Sequence, residues 1–414
     1  MRRSGWSRRD FGRLVALGGS AALVPAPTRA ASWLMQPAGE AFWSGIRDEF
    51  MLDPDLAMFN AANLCPASQR VVARLERASR EIDRDPSPAN RRQLGEGREE
   101  ARRQVAAFLG TRPEQIVLTR NTSESNNLVS SGLDLGPGDE VLLLSHNHPS
   151  NLNAWREKAE RAGFTVVVLD QPVPHPGTGA ILDRVSSAIT TRTRVLAFSH
   201  VTATVGDLMP AADLCRLARE RGVVTLVDGA QSFGVLDIDL GVMQPDFYSG
   251  SAHKWPCGAR ENGVLYVNPG VAGRIKPSVI SLYGGAVGVS RELEANGQRD
   301  EAAMIAFGEA VAFQMEVGKP RIEARARALA SALVEGFSRL SGVTLGTSPV
   351  AERRAAIVTI EIASGEAGAL AGALYEEDRI ICATRGRTGL RFSPHFYNTM
   401  ADVERAITAV SRRV

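Results

Sequence analysis

Asp228 and Lys254 carry the strongest chemical signal in the sequence. Asp228 ends the apolar run 223–227, so its carboxylate is expected at the carboxyl end of a buried strand, where open α/β sheets bind their ligands. Lys254 stands in a polar Ser-Ala-His-Lys turn, and a lysine amine that has lost its proton attacks carbonyl carbons. Either residue alone is more often a helix cap or a solvated charge. As a pair they indicate a lysine nucleophile with a carboxylate partner.

The pair matches the needs of pyridoxal phosphate, a cofactor that reacts through an aldehyde and a pyridine ring. The lysine amine would hold the aldehyde as a Schiff base. The carboxylate would keep the pyridine nitrogen protonated, so that the ring accepts electrons from a carbanion at the substrate α-carbon. We therefore predict pyridoxal phosphate as the cofactor, with Lys254 and Asp228 as catalytic residues.

The motifs Asp-Gly-Ala-Gln at 228–231 and Ser-Ala-His-Lys at 251–254 resemble those of the class V aminotransferase family of fold type I pyridoxal phosphate enzymes. The resemblance implies an α/β fold, with a large domain around a mainly parallel central sheet and a small C-terminal α+β domain. It also implies that Gln231 reaches the phenolic oxygen of the cofactor, and that Ser251 and His253 contact its phosphate.

A polar segment, residues 119–128, follows the first predicted strand. Backbone N–H groups and hydroxyls at a helix N-terminus suit a phosphate, because unpaired donors and the helix dipole both point towards it. Taken alone, Thr122 and Ser123 fit a plain helix cap better than a phosphate site. The family resemblance implies instead that both residues bind the cofactor phosphate.

Two histidines follow the second predicted strand. The family places an aromatic ring or a histidine in this loop, against the face of the cofactor, and the spacing to the residues that follow favours His148 for this catalytic and cofactor-binding role. His146 is the alternative. Farther along, Ala203 stands where the family commonly has an asparagine that bonds the phenolic oxygen, so Thr202 or Thr204 would have to replace it.

Three further residues are assigned by the resemblance. Arg391, in the family's terminal motif at 390–399, would grip a substrate α-carboxylate, for which the planar guanidinium is suited. Asn63 lies in a turn that resembles the one over the family's active site, although an ordinary turn also favours Asn. Gln298 lies in a segment that resembles the one reaching into a neighbouring subunit's phosphate site. We therefore expect a homodimer with shared active sites, and a plain surface loop is the alternative.

The motifs identify the family more closely than the reaction, because class V members include transaminases, epimerases, cysteine desulfurases and lyases. Desulfurases carry a nucleophilic cysteine just before the carboxylate arginine, and the interval 386–390 has none, which argues against a desulfurase. The terminal motif is most similar to the isopenicillin N epimerase-like branch, which includes a periplasmic enzyme that tailors pyoverdine siderophores. We expect an aminotransferase-like or epimerase-like enzyme acting at the α-carbon of an amino acid or peptidyl amine. A β-lyase (C–S lyase) and a non-catalytic binding protein are the alternatives.

Residues 1–31 have the pattern of a twin-arginine signal: Ser-Arg-Arg-Asp-Phe at 7–11, an apolar run at 14–24, and small residues near 30–31. A basic arm on a cytosolic enzyme is the alternative. The apolar run is too short to anchor the chain in a membrane. Since the twin-arginine machinery exports proteins already folded and loaded with cofactor, we expect a periplasmic enzyme.

The composition, 44% hydrophobic and 23% charged over 414 residues, is typical of a soluble globular enzyme. Removing the predicted signal leaves 42 basic and 45 acidic residues, a formal charge of −3. The protein therefore offers no global basic field for nucleic acid or anionic lipid. The four cysteines are scattered without a C-x-x-C pair, so no metal site is predicted.

Five short apolar runs separated by helical patterns predict parallel strands with covering helices; the runs are 115–119, 140–145, 164–169, 194–199 and 223–228. One edge of such a sheet would gather the residues named above. Farther on, the sequence predicts helices at 301–318 and 321–340 and strands near 356–362, 379–383 and 390–393. The predicted division is a signal at 1–31, an arm at 32–65, a large cofactor-binding domain at 66–290 and a small domain at 291–414.

Overall fold

The structure is a computed structural model that describes residues 39–363 and 365–414, and the predicted signal lies outside these ranges. The helices are α1 (Glu40–Arg47), α2 (Gln69–Arg84), α3 (Pro88–Phe108), α4 (Thr122–Gly132), α5 (Pro149–Ala162), α6 (Thr178–Ala188), α7 (Ala211–Glu220), α8 (Leu240–Met243), α9 (Ser290–Leu293), α10 (Glu301–Val317), α11 (Lys319–Ser338), α12 (Ala367–Asp378) and α13 (Met400–Ser411). None of these helices is long and apolar enough to cross a membrane.

The strands are β1 (Ala57–Met58), β2 (Ile116–Thr119), β3 (Glu140–Leu144), β4 (Thr165–Leu169), β5 (Thr193–Ser199), β6 (Val224–Asp228), β7 (Phe247–Ser251), β8 (Gly263–Val267), β9 (Val343–Leu345), β10 (Val358–Ile362), β11 (Ile380–Ile381), β12 (Ala383–Arg385) and β13 (Gly389–Phe392). Seven of them form the central sheet, in the order β2-β8-β7-β6-β5-β3-β4. Strands β3 to β7 pair in parallel, and β8 is antiparallel to both of its neighbours. The predicted mainly parallel sheet is confirmed.

Successive side chains along each strand point alternately to the two faces of this sheet, and a hydrophobic core lies on each face. In β3, Leu142 and Leu144 pack into one core, whereas Val141 and Leu143 pack into the other. Successive side chains of a strand point to opposite faces, so a strand with helices on both faces must be apolar at every position. This requirement explains why the parallel strands appear in the sequence as continuous apolar runs.

The charged helical stretch before the sheet is divided into α2 and α3 at residues 85–87. Ser68 caps α2 by accepting a hydrogen bond from the Val71 N–H, and Ser87 caps α3 in the same way. Helix α10 packs against both α2 and α3. The boundary between the large and small domains stays a prediction, because α10 falls within the predicted small domain yet packs on helices of the large one.

A second, antiparallel sheet lies in the C-terminal part of the chain, in the order β12-β13-β10-β9. Its core is formed with α11, α12 and α13. The single strand predicted at 379–383 is divided in the structure: β11 pairs with β1 of the N-terminal arm, and β12 joins the four-stranded sheet. The sequence missed this division because the partner of β11 comes from a distant segment.

The N-terminal arm crosses from the small sheet to the Lys254 turn. After β1, the Ala61 N–H donates to the Ser393 carbonyl at 3.2 Å, and the Cys65 N–H donates to the His253 carbonyl at 2.8 Å. Backbone hydrogen bonds at both ends therefore fix the arm across one edge of the central sheet.

Candidate active site

Three loops meet at the carboxyl edge of the central sheet. Asp228 is the last residue of β6, Ser251 is the last residue of β7, and Thr122 opens α4 shortly after β2. Strands β6 and β7 are neighbours, and only β8 separates β7 from β2. The structure thus gathers the residues predicted to act at the edge where open α/β sheets bind ligands.

Both carboxylate oxygens of Asp228 are held by the protein. Oδ1 accepts a hydrogen bond from the Ala230 N–H at 3.0 Å, and Oδ2 accepts one from the Asn126 side-chain amide at 3.0 Å. The Asn126 carbonyl oxygen in turn accepts a hydrogen bond from the Ser249 hydroxyl at 2.7 Å. A buried carboxylate oriented in this way can stabilise a cation, such as a protonated pyridine nitrogen, at one fixed position.

Lys254 lies half-buried in the turn that follows β7. Burial lowers the pKa of its amine, the negative charge of Asp228 opposes that shift, and the positive charge of Arg391 reinforces it. Lys254 therefore lies within the electrostatic reach of both residues. Because a lowered pKa increases the fraction of neutral amine, the environment favours the form that attacks an aldehyde.

The start of α4 forms an anion-binding cradle with the end of β7. The Ser251 hydroxyl accepts a hydrogen bond from the Thr122 N–H at 2.9 Å and lies 2.7 Å from the Thr122 hydroxyl. The cap of α4 is Asn121, which accepts from the Glu124 N–H, so the Thr122 hydroxyl is not used for capping. Ser123 is exposed in the same first turn. First-turn N–H groups with adjacent hydroxyls are the donors that bind phosphates in proteins.

The two candidate histidines lie in different surroundings. His148 caps α5, and the strongest charge effects on its ring come from Lys254 and Asp228. Burial lowers the pKa of His148, and the positive charge of Lys254 lowers it further. Burial also lowers the pKa of His146, but the main charge acting on it is that of Asp170. His148 is therefore the histidine that lies among the predicted catalytic residues.

Arg391 projects from β13 and keeps unused hydrogen-bonding capacity. Its Nη1 donates to the Ala203 carbonyl at 3.0 Å, and its Nη2 donates to the Asn60 side chain at 3.4 Å. Its Nε is buried and has no partner among the described residues. Burial and the nearby charge of Arg385 lower the pKa of Arg391 to about 10, so the guanidinium is still charged at neutral pH. It can bind a carboxylate with the donors that remain.

Gln231 connects the arm to the lysine turn. Its Nε2 donates to the Ala62 carbonyl at 2.9 Å, and its Oε1 accepts from the Trp255 indole at 2.8 Å; one amide N–H remains for a cofactor oxygen. Of the two threonines proposed to replace an asparagine, Thr202 already accepts a backbone N–H of its own loop. The buried Thr204 hydroxyl has no partner in the described part of the chain.

Four of the predicted site residues are exposed, namely Ser123 and His148 as well as Asn63 and Gln298. Asn63 is exposed, and the arm residue that contacts Arg391 is Asn60. Gln298 is also exposed and accepts a hydrogen bond from Arg91 at 3.0 Å. The roles assigned to Asn63 and Gln298 stay predictions.

The structure also places next to one another several side chains that the sequence did not predict to be neighbours. Asn126 is one of them: an amide in the interior of a helix is a signal that could have indicated a structural partner.

Cys65, Cys257 and His395 are buried with their ligand atoms within 4.8 Å of one another, and both cysteines are free thiols. That no metal site exists stays a prediction, but spacing along the chain does not detect a cluster built from three separate segments.

His253 adds a third polar side chain near the cradle. It is half-buried in the lysine turn, and burial together with the Lys254 charge lowers the pKa of its ring. The site as a whole offers an amine, a fixed carboxylate, an anion cradle and a guanidinium at one sheet edge. This donor set fits pyridoxal phosphate and an amino-acid substrate.

Comparison with known proteins agrees with this chemistry. The model of the family Aminotransferase class-V matches residues 65–406. Isopenicillin N epimerase of Amycolatopsis lactamdurans is 31% identical over 390 residues, which cover 89% of this chain and 98% of the relative. A probable cysteine desulfurase of Methanothermobacter thermautotrophicus is 28% identical over 335 residues, or 74% of this chain and 81% of the relative. A solved structure of C-DES, with glycine covalently linked to its PLP cofactor, superposes with a TM-score of 0.83 at 21% identity and covers 88% of this chain and 98% of its own.

The comparisons correct one prediction. The sequence argument that the missing cysteine in the interval 386–390 excludes a cysteine desulfurase is wrong, because several relatives carry that name. In the structure residues 386–388 form the tight turn that joins β12 to β13, and residues 389–390 begin β13. The content of one turn does not determine the reaction on a scaffold that many reactions share.

Proposed function

The chain belongs to the class V aminotransferase family of pyridoxal phosphate enzymes, and on that premise we propose that it acts at the α-carbon of an amino acid or peptidyl amine, as an epimerase-like or aminotransferase-like enzyme. One observation carries the proposal: the Lys254 turn follows β7 directly, next to the strand end that carries Asp228, and the arm that binds this turn also contacts Arg391 through Asn60. These are the groups that α-carbon chemistry needs around a substrate amine. Two relatives named isopenicillin N epimerase support the epimerase-like outcome.

Each residue has a separate task in this proposal. When bound, pyridoxal phosphate supplies an electron-accepting ring that acidifies the substrate α-C–H bond. Asp228 stabilises the positive charge on the pyridine nitrogen, and Arg391 orients the substrate by its carboxylate. Lys254, as a neutral amine, takes the α-proton at its Nζ. Epimerisation and aminotransfer differ in where that proton is returned.

Exchange of the substrate α-proton tests the proposal without knowledge of the natural substrate. Holoenzyme incubated with amino acids in heavy water should replace the α-proton by deuterium, as followed by proton NMR, and Lys254→Ala should not. Chiral analysis and a keto-acid assay then separate epimerisation from aminotransfer. A holoenzyme that catalyses no α-exchange with any amino acid or peptidyl amine tested would refute the proposal.

A second candidate is cleavage of a carbon–sulfur bond in a cysteine-derived substrate, as by a C–S lyase or a desulfurase. The observation that favours it is the match to relatives named cysteine desulfurase. This reaction begins with the same binding of the amine and carboxylate. Release of sulfide, or of a persulfide reducible to sulfide, from L-cysteine by the holoenzyme at a rate above that of α-exchange would favour the second candidate over the first.

We also propose that residues 1–31 direct export by the twin-arginine pathway, and that the substrate is a secreted peptide or secondary metabolite in the periplasm. The paired arginines, the apolar run and the small residues after it support this proposal. Replacing Arg8 and Arg9 with lysine should leave the active protein in the cytoplasmic fraction. Unchanged fractionation of this variant would contradict export by this route.

We propose further that the enzyme is a homodimer. A short segment after the central sheet exposes three apolar side chains: Ile280 is 90% exposed, Leu282 is 94% exposed and Tyr283 is 57% exposed. Contiguous apolar surface of this kind is typical of protein interfaces. The exposed position of Gln298 also leaves it accessible to a second subunit.

A further inference from the structure

A cavity of about 380 Å³ opens between the loop after β5 and the small sheet. The loop contributes Thr204 and Val205 to its lining, and the small sheet contributes Glu361 and Arg385. Thr359 also lines the cavity and lies opposite Arg391 in the sheet register, so the cavity adjoins the proposed substrate carboxylate site. The residues predicted from the sequence do not include any charged group of this cavity.

The strand register places these charged residues on one face of the small sheet. Arg391 lies opposite Ala383, and in the next row across the sheet Gly389 lies between Glu361 and Arg385. Residues two positions apart along a strand share a face. Arg385 is therefore a diagonal neighbour of Arg391, at roughly 7–8 Å in an antiparallel ladder.

Gly389 allows Glu361 and Arg385 to approach the strand between them closely. A Cβ atom at this position would lie 2.9 Å from the Arg385 Cβ and 3.0 Å from a carboxylate oxygen of Glu361. Glu361, on the opposite wall, accepts a hydrogen bond from the Thr388 hydroxyl. The cavity thus has the Arg385 guanidinium on one wall and the Glu361 carboxylate, which is hydrogen-bonded to Thr388, on the other. Gly389 places no side chain between them.

The positive charge of Arg385 has no compensating partner in the described part of the chain. The residue is half-buried, and no described residue forms an ion pair or hydrogen bond with its guanidinium. Its main electrostatic effect is repulsion, which contributes to the lowered pKa of Arg391. Two adjacent guanidiniums are unfavourable until anions neutralise them, and each can bind a carboxylate bidentately. The unpaired Thr204 hydroxyl supplies a further donor in the same lining.

We infer that Arg385 binds a second carboxylate of the substrate, so that the enzyme prefers amino acids or peptidyl amines with two carboxylates separated by a short chain. The substrate amine then lies at Lys254, its α-carboxylate at Arg391, and its second carboxylate at Arg385. An extended five-carbon diacid spans a distance comparable to that between diagonal neighbours of the sheet. The inference rests on the proposed function, because that proposal assigns the α-carboxylate to Arg391.

Calorimetric titration of the holoenzyme with glutarate and valerate at low ionic strength tests this inference. The two acids have five carbons each, but glutarate carries the second carboxylate. Wild-type enzyme should bind glutarate at least tenfold more tightly than valerate, and Arg385→Met should bind both with similar Kd. Arg387→Met is the matched control, because Arg387 belongs to the same turn but donates to the Gly365 carbonyl. This control should retain the preference for glutarate.

Two results would overturn the inference: no preference for glutarate in the wild type, including no detectable binding of either acid, or an unchanged preference in Arg385→Met. Arg385→Gln gives a second variant, with a polar side chain, in case the methionine disturbs folding. Neither acid has an amine, so the titration does not depend on α-carbon chemistry. A failure of the proposed α-carbon chemistry would appear in the exchange experiment, whereas a failure of carboxylate binding at Arg385 would appear in the titration.

Discussion

The Arg391 side chain is held in place by the protein and keeps an unused donor that can bind an anion. Its backbone strand is fixed by the small sheet, and two of its nitrogens are held by Ala203 and Asn60. Its buried Nε has no partner among the described residues. A carboxylate bound there would satisfy a donor whose burial otherwise costs free energy.

Arg391→Lys should separate substrate binding from cofactor binding. The cofactor contacts proposed here lie at Thr122, Asp228 and Lys254, so the variant should keep its cofactor spectrum. Its kcat/KM for carboxylated amines should fall by roughly 2–4 kcal/mol of lost bidentate contact, on the order of a hundredfold or more. Amines without a carboxylate provide the control, because they never use the guanidinium. If both kinds of amine lose activity alike, or if the variant loses its cofactor, Arg391 has a structural role.

Sequence reasoning at the residue scale succeeded where a side chain follows directly from a strand end. Asp228 ends an apolar run, so both its place at the sheet edge and its nearness to the Lys254 turn could be inferred. Asn126 could not be found in this way, because its partner Asp228 is reached only when α4 packs beside β6. Asn60 was missed in favour of Asn63 for the same reason, since the direction of a turn is a tertiary property.

At the scale of elements, the loop that follows β5 is an unusual part of the site. It contains Thr202, Thr204 and Asp207, and it lies between the central sheet and the small sheet. Asp207 is almost completely buried, and no described residue donates a hydrogen bond of normal geometry to its carboxylate oxygens. Burial raises the pKa of Asp207 to about 7, with Gln171 opposing the shift. The loop therefore carries a carboxyl group that prefers to be neutral.

This carboxyl group makes the stability of the enzyme depend on pH. Between about pH 4 and pH 7 the unfolded chain has lost the Asp207 proton while the folded protein still holds it, so stability falls as pH rises through this window. The loss amounts to roughly 4 kcal/mol at most. Asp207→Asn should remove it, so the free energy of unfolding of the variant, relative to wild type, should increase from pH 4 to pH 7.

Urea unfolding of both proteins across this range measures the effect. Asp213→Asn, at a half-exposed acid that pairs with Arg216 on the next helix, is the matched control and should show no comparable gain. Parallel curves for wild type and Asp207→Asn would show that the carboxyl group is already ionised in the folded protein.

Strands β2 to β6 of the central sheet were predictable because each is a short apolar run, as strands covered by helices require, whereas β7 and β8 were not among the predicted runs. The small sheet was less predictable. Its strand β9 has only three residues, and β11 leaves the sheet to pair with β1 of the arm. Such short strands are defined by their partners rather than by their own pattern, so the sequence indicated the segments but not their pairing.

At the scale of the whole molecule, the exposed apolar segment around Leu282 predicts association of two chains. Leu282→Asp should weaken the dimer, because a charge at the centre of an apolar interface loses its hydration without gaining a partner. Sedimentation velocity over a range of concentrations should show a dimer for wild type and a larger monomer fraction for the variant. Val242→Asp, at a residue that is 76% exposed on α8, is the control. A wild-type protein that is monomeric at all concentrations would contradict the proposed dimer.

The central claim is that Lys254 is the residue that holds pyridoxal phosphate, and the chain is well suited to a direct test because it has only four lysines, at positions 158, 254, 276 and 319. Borohydride reduction of the holoenzyme should fix the cofactor to one lysine, and mass spectrometry of the peptides should identify that residue. We predict a single modified peptide containing Lys254, none in Lys254→Arg, and an unchanged pattern in Lys276→Arg. Modification at another lysine in the wild type, or a cofactor still fixed in Lys254→Arg, would contradict the account.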